Sequence, residues 1–339
     1  MVTSTLQAQI SVGLKESALG NSGAAITESS APSFYNPALL SEKQQSYFSL
    51  TGTTLTSFKT SNDAGEMNST KFAPNYISSI HAFESYIHEF SLVNQLSVDS
   101  RTSAPITNGT KTTNLKVDQY NLLYSFAFRD FPFGFQLGLR INEQNVRLSE
   151  ASNDGNIAYG YDWDISHRVG YLFAGFGGIH QLGEHYRFGY KYESPGINVY
   201  KKTDQVGSYY YYDKTNNLFQ AGSSRGSTDD NNFNAQTVII GHSFTTGDHE
   251  FLTDSRFTEN PDQHHTYDFF QTFGYKINFA NKMQFLCGFS HEFDPASNYY
   301  STGFSWMTNT LRSHMSAYFA EGNDNMQSAG VTFGSEFIY

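Results

Sequence analysis

The sequence predicts an all-β protein, a 14-stranded antiparallel transmembrane β-barrel with an N-terminal luminal plug. Three observations lead there. The chain of 339 residues carries 30 Phe and 23 Tyr, with 28 Gly and only 8 Pro, a composition suited to many strands with a wide aromatic surface. No run of about 18 apolar residues exists, so no membrane helix is expected. Yet large apolar residues recur at every second position in segment after segment. A chain of low net hydrophobicity crosses a bilayer only as a closed barrel, because there every backbone group pairs between strands and one face alone need be apolar.

Composition also excludes. A net charge of -11, from 21 Lys+Arg against 32 Asp+Glu, argues against a nucleic-acid partner. The single cysteine, Cys287, can form neither an internal disulfide nor a structural zinc site. The opening MVTSTLQAQ is too short and hydrophilic for a secretory h-region, so export is argued from the barrel pattern.

In chain order, residues 1–44 form the first unit. They lack alternation and read as small and polar, as in ALGNSGAAITESSAPSFYNPALL. A large barrel has a lumen to fill or leave open, and a segment of this size is expected to fill it as a plug. Phe34, Leu39 and Leu40 are its apolar candidates, either lining a pocket or anchoring the plug, with anchoring the favoured reading.

Residues 45–339 form the barrel. Strands are expected near 45–59, 72–83, 85–99, 114–129, 133–149, 158–180 and 184–200. Seven more are expected near 233–244, 248–257, 265–279, 282–293, 298–307, 310–320 and 327–339. Phe133, Phe135, Leu137, Leu139 and Ile141 oppose Gly134, Gln136, Gly138, Arg140 and Asn142; Val331, Phe333, Phe337 and Tyr339 oppose Gly330, Thr332, Gly334 and Glu336. A soluble sandwich would use mostly Val, Ile and Leu on its apolar parity; Phe and Tyr are what lipid-facing girdles use. Connections after even-numbered strands are tight and those after odd ones mostly longer, the longest covering 201–232, which matches short periplasmic turns and long outer loops.

The stretch Ser17 to Ala25, then Tyr35-Asn36-Pro37-Ala38-Leu39 running into the first strand, resembles the plug of the long-chain fatty-acid transporter family of outer membrane proteins (FadL-like). Ala73-Pro74-Asn75 at the second strand and Gly189 to Pro195 at the seventh are similar to that family in the same order. The resemblance implies a plug in the lumen that includes Asn36, Pro37 and Ala38, an apolar groove near the outer loops, and a deeper ligand pocket. It further implies a kinked third strand, within Tyr86 to Val98, that opens sideways to the bilayer. The implied function is passive outer-membrane uptake of hydrophobic molecules, foremost long-chain fatty acids, by a monomer in contact with membrane lipid and lipopolysaccharide. Uptake of small aromatic compounds is the alternative within the family.

A carboxylate in an apolar pocket needs a cation or several donors. Inward parity nominates Arg140, Arg168, Arg187, Lys191, Arg256 and Lys276, and the plainer expectation is that each pairs with Asp162, Asp164, Glu193, Asp254 or Asp268 in a lumen network. Arg140 and Arg147 lie on the fifth strand, where the family carries a basic ligand-binding residue, although parity reads as slipping near Glu143. The family's second basic residue has no match; His264 and His265 stand near its place. In the longest loop, Tyr209, Tyr210, Tyr211, Tyr212, Leu218 and Phe219 offer either a capture surface or loop packing.

Other chemistry is weakly supported. Gly175-Phe-Gly177-Gly178 lies within a strand, not between strand and helix as a dinucleotide loop requires. No metal site or cofactor is expected, and Cys287 reads as a small outward residue. A barrel enzyme, lipase or protease, would need a nucleophile with a partnered His. His167 is near Asp164 and Ser166, but alternation puts it on the opposite face. A non-transporting adhesin barrel is the third reading.

Overall fold

The computed structural model describes residues 12–59, 67–227, 235–259, 266–279, 282–293, 296–322 and 327–339. Its strands, in chain order, are β1 (Tyr47–Lys59), β2 (Met67–Ala82), β3 (Tyr86–Ile106), β4 (Gly109–Phe128) and β5 (Phe133–Asn153). Then come β6 (Ile157–Leu182), β7 (Tyr186–Glu193), β8 (Ile197–Asp213), β9 (Leu218–Ser227), β10 (Thr237–Thr246) and β11 (His249–Glu259). The series ends with β12 (Tyr267–Phe279), β13 (Met283–Phe293), β14 (Ala296–Met307), β15 (Leu311–Gly322) and β16 (Gln327–Ile338).

Fourteen of these close a ring of antiparallel pairs: β1 to β7 in order, then β10 to β16, with β16 back on β1. They correspond to the fourteen segments that alternation marks in the sequence. The remaining two are an outgrowth. β6 pairs with β7 over Gly175–Leu182 and with β8 over Ile157–Leu172, so β8 continues upward where β7 stops at Glu193. β9 returns beside β8. The expected outer loop of 201–232 is therefore largely strand, and so are the stretches near 100–113 and 150–157.

Alternation misses these extensions because polarity changes along the strands, and on β4 and β5 it does so without any change of register. The β4–β5 ladder runs unbroken from Gly109–Ser152 to Ala127–Gly134, so parity does not slip near Glu143. In the lower barrel, outward residues such as Leu122, Leu137 and Phe333 are exposed and apolar, while inward Ser125, Gln136 and Thr332 are buried and polar. Higher up, the outward positions become charged and pair with one another, along one strand for Lys116 with Asp118 (3.3 Å) and Lys202 with Asp204 (2.5 Å), and between β5 and β6 for Glu143 with Arg168 (3.5 Å) and Arg147 with Asp162 (2.7 Å). The inward positions there turn apolar, with Val117 level with Gln144, Val146 with Ile165 and Leu148 with Trp163. Such an exchange is what one sheet needs where its outer face passes from hydrocarbon to water.

The N-terminal segment lies inside the ring. It has a 3-10 turn at Glu16–Leu19, a helical turn at Pro32–Tyr35 and a second 3-10 turn at Pro37–Glu42, for which the Asn36 side chain caps the Ala38 amide at 3.0 Å. Its polar groups bond strands on every side: Ser17 with Ser316 of β15 (3.0 Å), Ser22 with Thr272 of β12 (2.7 Å), and the Gly23 and Ala24 amides with Asp254 of β11 (2.7 and 2.9 Å). Inward glycines give it room. A Cβ on Gly288 would sit 2.0 Å from the Gly20 nitrogen, and one on Gly134 2.3 Å from the Pro37 carbonyl carbon.

Candidate functional site

The wall is not hydrogen-bonded evenly. β2 and β3 pair only from Tyr76–Val93 down to Ala82–Ile87, although both continue above that rung, β2 beside β1 and β3 beside β4. Each strand is irregular just above the split. On β2, Asn75 is the extra residue between the Thr51–Tyr76 and Gly52–Pro74 pairs, and Pro74 has no N–H to donate. On β3 the register shifts between Asn94 and Leu96. Two bulges at one level bend neighbouring strands apart, so the ladder forks. The β3 bulge falls inside the Tyr86 to Val98 window that the sequence resemblance implies.

Behind the fork, Val12, Ala31 and Tyr35 of the N-terminal segment pack with Tyr76, Val93, Leu123 and Phe173 of the wall, and Phe34 lies against this cluster. Its far edge is polar. Arg140 of β5 donates Nε–H to Asn121 (2.8 Å) and Nη2–H to Glu193 (3.1 Å), with its guanidinium 4.9 Å from the centre of the Phe173 ring. Lys191 of β7, almost wholly buried, bonds the other Glu193 oxygen (2.7 Å) and the carbonyls of Phe34 (2.6 Å) and Ser33 (3.2 Å). Two cations thus share one carboxylate beside an aromatic floor. Burying a charge is costly unless it is paired or hydrogen-bonded, as these three groups are, and the pair of cations leaves a net positive edge on an apolar cluster.

The sequence candidates separate around this cluster. Arg140 belongs to it; Arg147 does not. Seven positions apart on an unbroken strand, they face opposite sides, and Arg147 is 58% exposed on the outer face of the extension, bonded to Asp162. Arg168, Asp162 and Asp164, expected inward, are outward too, because the inward set of β6 is Tyr171, Val169, His167, Ile165 and Trp163. Other lumen cations also pair with acids, but not with those expected: Lys276 with Glu250 of the neighbouring strand, and Arg187 with Glu42 of the N-terminal segment at 2.7 Å.

In the segment, Asn36 donates to the carbonyls of Ala24 (2.8 Å) and Gly178 (2.9 Å), beside Pro37 and Ala38. Leu39 and Leu40 are buried in two different apolar clusters, with Leu19 and Leu252 and with Ile80 and Ile87. Only Phe34 faces the polar edge. Tyr209 to Tyr212 lie on β8, not on a loop, so they do not form one surface: Tyr209 and Tyr211 share the inner face with Tyr161 and Tyr159, whereas Tyr210 and Tyr212 are outward. Phe219 is level with Tyr212 and Leu218 with Asp213. His264 and His265 fall outside the described residues. His167 bonds Thr203 at 2.7 Å and stands on the face opposite Asp164 and Ser166, so the three do not assemble.

Sequence reasoning passes over Phe173, Tyr171, Asn121, Tyr76 and Glu89. Of these only Glu89 carries a mark legible in sequence, an acid on the inward parity of β3 between Ile87 and Ser91.

Neither protein-family models nor curated protein sequences match this chain. Solved structures do. The P. putida toluene transporter TodX aligns at 10% identity over 97% of this chain and 99% of its own, with a TM-score of 0.72. The Ralstonia pickettii toluene transporter TbuX gives 13% identity, 99% of both chains and 0.71. A Pseudomonas aeruginosa FadL homologue gives 12%, 98% and 99%, and 0.66. At such identities the likeness is one of fold, and it extends over nearly the whole chain.

Proposed function

From the premise that this chain shares its fold with outer-membrane hydrocarbon and fatty-acid transporters, we propose that it is a passive outer-membrane transporter for hydrophobic molecules. The observation that carries the reading is the continuity of inward apolar surface from top to side. The inner face of the extension offers Tyr159, Tyr161, Trp163, Leu148 and Val146, the Phe34–Phe173 cluster lies below, and the cluster ends at the fork between β2 and β3. A ligand entering from above would shed water on the extension, meet the N-terminal segment acting as a plug, and leave sideways into hydrocarbon. No energy source is needed, because transfer of an apolar molecule from water into hydrocarbon is itself favourable.

The substrate we favour is a long-chain fatty acid, because Arg140 and Lys191 outnumber Glu193 and give a carboxylate head a place beside an apolar tail. A small aromatic compound is the second reading, supported by the aromatic floor of Phe34 and Phe173 and by what the toluene transporters of the same fold carry. Hydroxyl–imidazole contacts do occur, between Ser305 and His314 (2.7 Å), Ser79 and His81 (3.0 Å) and Thr203 and His167 (2.7 Å), and none of these residues belongs to the Arg140–Glu193–Lys191 cluster.

Purified protein in liposomes, exposed in parallel to dodecanoate and to toluene, tests both readings. Uptake above that of empty liposomes for either probe supports transport, and the faster probe names the class. No protein-dependent uptake of either would sink the proposal.

A further inference from the structure

At the end of the barrel that carries the tight turns, a cleft separates the N-terminal segment from β13 to β16. Lys15 of the segment lines it together with Lys282, Gln284 of β13, Arg312 and His314 of β15 and Glu336 of β16, around about 320 Å³ of free space that is partly open to solvent. The wall residues share one face. Gln284 and His314 are both level with Ser305 of β14, one on each side, and Arg312, two residues from His314, is level with Glu336.

Four of these side chains hold a buried polar atom without a hydrogen-bond partner among the described residues: Gln284 Oε1, His314 Nε2, Arg312 Nε and Glu336 Oε1. Gln284, His314 and Glu336 are each more than nine-tenths buried. On the other side of the lumen, comparable groups bond the segment directly, as Asp254, Glu250 and Lys191 do. Leaving a buried donor or acceptor unpaired is costly, so four at one cleft call for a group that completes them.

The atoms define that group. Ser305 Oγ lies 2.7 Å from His314 Nδ1, and with the hydroxyl donating, the imidazole carries its proton on Nε2. Gln284 is oriented by its Nε2–H donating to Asn278 at 2.9 Å, which leaves its oxygen free to accept. The cleft therefore presents two donors, on His314 and Arg312, and two acceptors, on Gln284 and Glu336. Charge sets the sign. Lys15 is matched by Glu28 at 2.9 Å, which leaves Lys282 and Arg312 against Glu336 alone, and Arg312 meets Glu336 only at 3.5 Å. An anion suits one excess cation, but an oxyanion without protons would leave both acceptors facing its lone pairs.

We propose that this cleft binds inorganic phosphate. Dihydrogen phosphate has two bare oxygens for His314 and Arg312, two O–H groups for Gln284 and Glu336, and one negative charge. Charge-assisted hydrogen bonds of this kind are the stronger ones. The site is independent of the uptake reading, since its ligand is polar and none of its residues belongs to the Arg140–Glu193–Lys191 cluster.

Titration calorimetry of the detergent-solubilised full chain, near neutral pH and with ionic strength held constant by chloride, tests the site. Phosphate should bind as a single ion per chain, and sulfate, of the same shape but without a proton, about tenfold more weakly or worse. Glu336→Gln should erase most of that preference, because an amide can turn its NH2 toward sulfate. His314→Ala should weaken phosphate binding by about ten- to a hundredfold, and Arg147→Ala, on the outer face, should change nothing. An ion that binds the folded chain stabilises it, so phosphate should also raise the wild-type thermal midpoint above that in equal sulfate, a readout that needs no variant to fold. Equal binding of the two ions, unaffected by Glu336→Gln, would mean an adventitious ion only, and no heat from either would mean that the cleft holds water; each overturns the proposal. Glycerol 3-phosphate binding more tightly than phosphate would overturn the assignment to the free ion in favour of a lipid head group.

Discussion

Tyr76 of β2 and Val93 of β3 form the uppermost rung between two strands that each run on beyond it. The rungs that would follow are prevented locally, by the bulged Asn75 with Pro74 on one strand and the shift after Asn94 on the other. If this fork is the exit, bridging it should trap ligand. With Cys287 replaced by Ser, a pair of cysteines at Asn75 and Asn94 joined by a short bis-maleimide should leave probe binding intact and slow its delivery to the bilayer about tenfold or more. Equal delivery before and after cross-linking would place the exit elsewhere.

Arg140 sits 3.1 Å from Glu193 and over Phe173, so its loss should be felt according to ligand charge. A charge-assisted hydrogen bond contributes about 1.5–3 kcal/mol. Arg140→Ala should therefore weaken dodecanoate binding by about ten- to a hundredfold and toluene binding much less. Glu193 keeps Lys191 at 2.7 Å in that variant, which limits the cost to folding. Arg147→Ala, on the other face, should change neither affinity. Isothermal titration with both probes decides, and equal losses for both would mean that Arg140 shapes the cluster without meeting a head group.

How much of this was legible in sequence depends on whether the message lay in parity or in pairing. The fourteen wall strands were legible because Phe and Tyr alternate with Gly, Ser and Gln wherever one face is apolar. The upper strands were not, because there the outward face is charged and the inward face mixed, so β8 reads as a tyrosine-rich loop. Arg140 was nominated correctly as inward, but nothing local shows that Arg147 follows on the same ladder without a slip; only the continuous β4–β5 register does. Glu89 bonds Ser33 and Tyr76 packs in one cluster with Tyr35, contacts with the N-terminal segment more than forty residues away, and no local spacing encodes that.

The inward glycines make a separate test of the enclosed segment. A side chain at Gly288 would meet backbone atoms of Leu19 and Gly20 at 2.1 and 2.0 Å, which cannot move as a flexible side chain can. Gly288→Val should push the segment from its seat, at a cost of about 1–3 kcal/mol or more. The thermal midpoint should fall, and Lys15 and Lys43, both buried in the native chain, should become cleavable by trypsin. A variant with native stability and no new cleavage would show that the wall yields instead.

Acid should act first on the tip of the β5–β6 hairpin. The Asp154 carboxylate accepts the amides of Asn156 (2.8 Å) and Ile157 (2.6 Å), which hold its pKa below the usual value of 3.8, and the Arg147 guanidinium does the same for Asp162. Each folded-state pKa is depressed, so the stabilisation is fully present above the unfolded value near 3.8 and is lost as pH falls through the lower folded one. The tip should be unchanged from about pH 5 to 8 and loosen only below about pH 4. Exchange protection at the Ile157 amide, corrected for intrinsic rate, reports this. Loss of protection already between pH 6 and 5 would contradict it.

Trp163 gives the extension its own readout. It is level with Leu148 on one side and with Gly207 on the other, and a Cβ at Gly207 would lie 2.6 Å from its ring, so the glycine makes room for the indole against the sheet. Placed there, the indole offers flat apolar surface on the face continuous with the lumen. Burying part of it under a ligand is worth about 1–2 kcal/mol at the usual area coefficient. Trp163→Ala should then weaken capture of dodecanoate and toluene alike by roughly five- to thirtyfold, since the contact ignores charge. In a Trp306→Phe background, Trp163 emission should shift to the blue as either probe is added. If emission stays fixed while uptake proceeds, ligands bypass the extension and enter the lumen by another side.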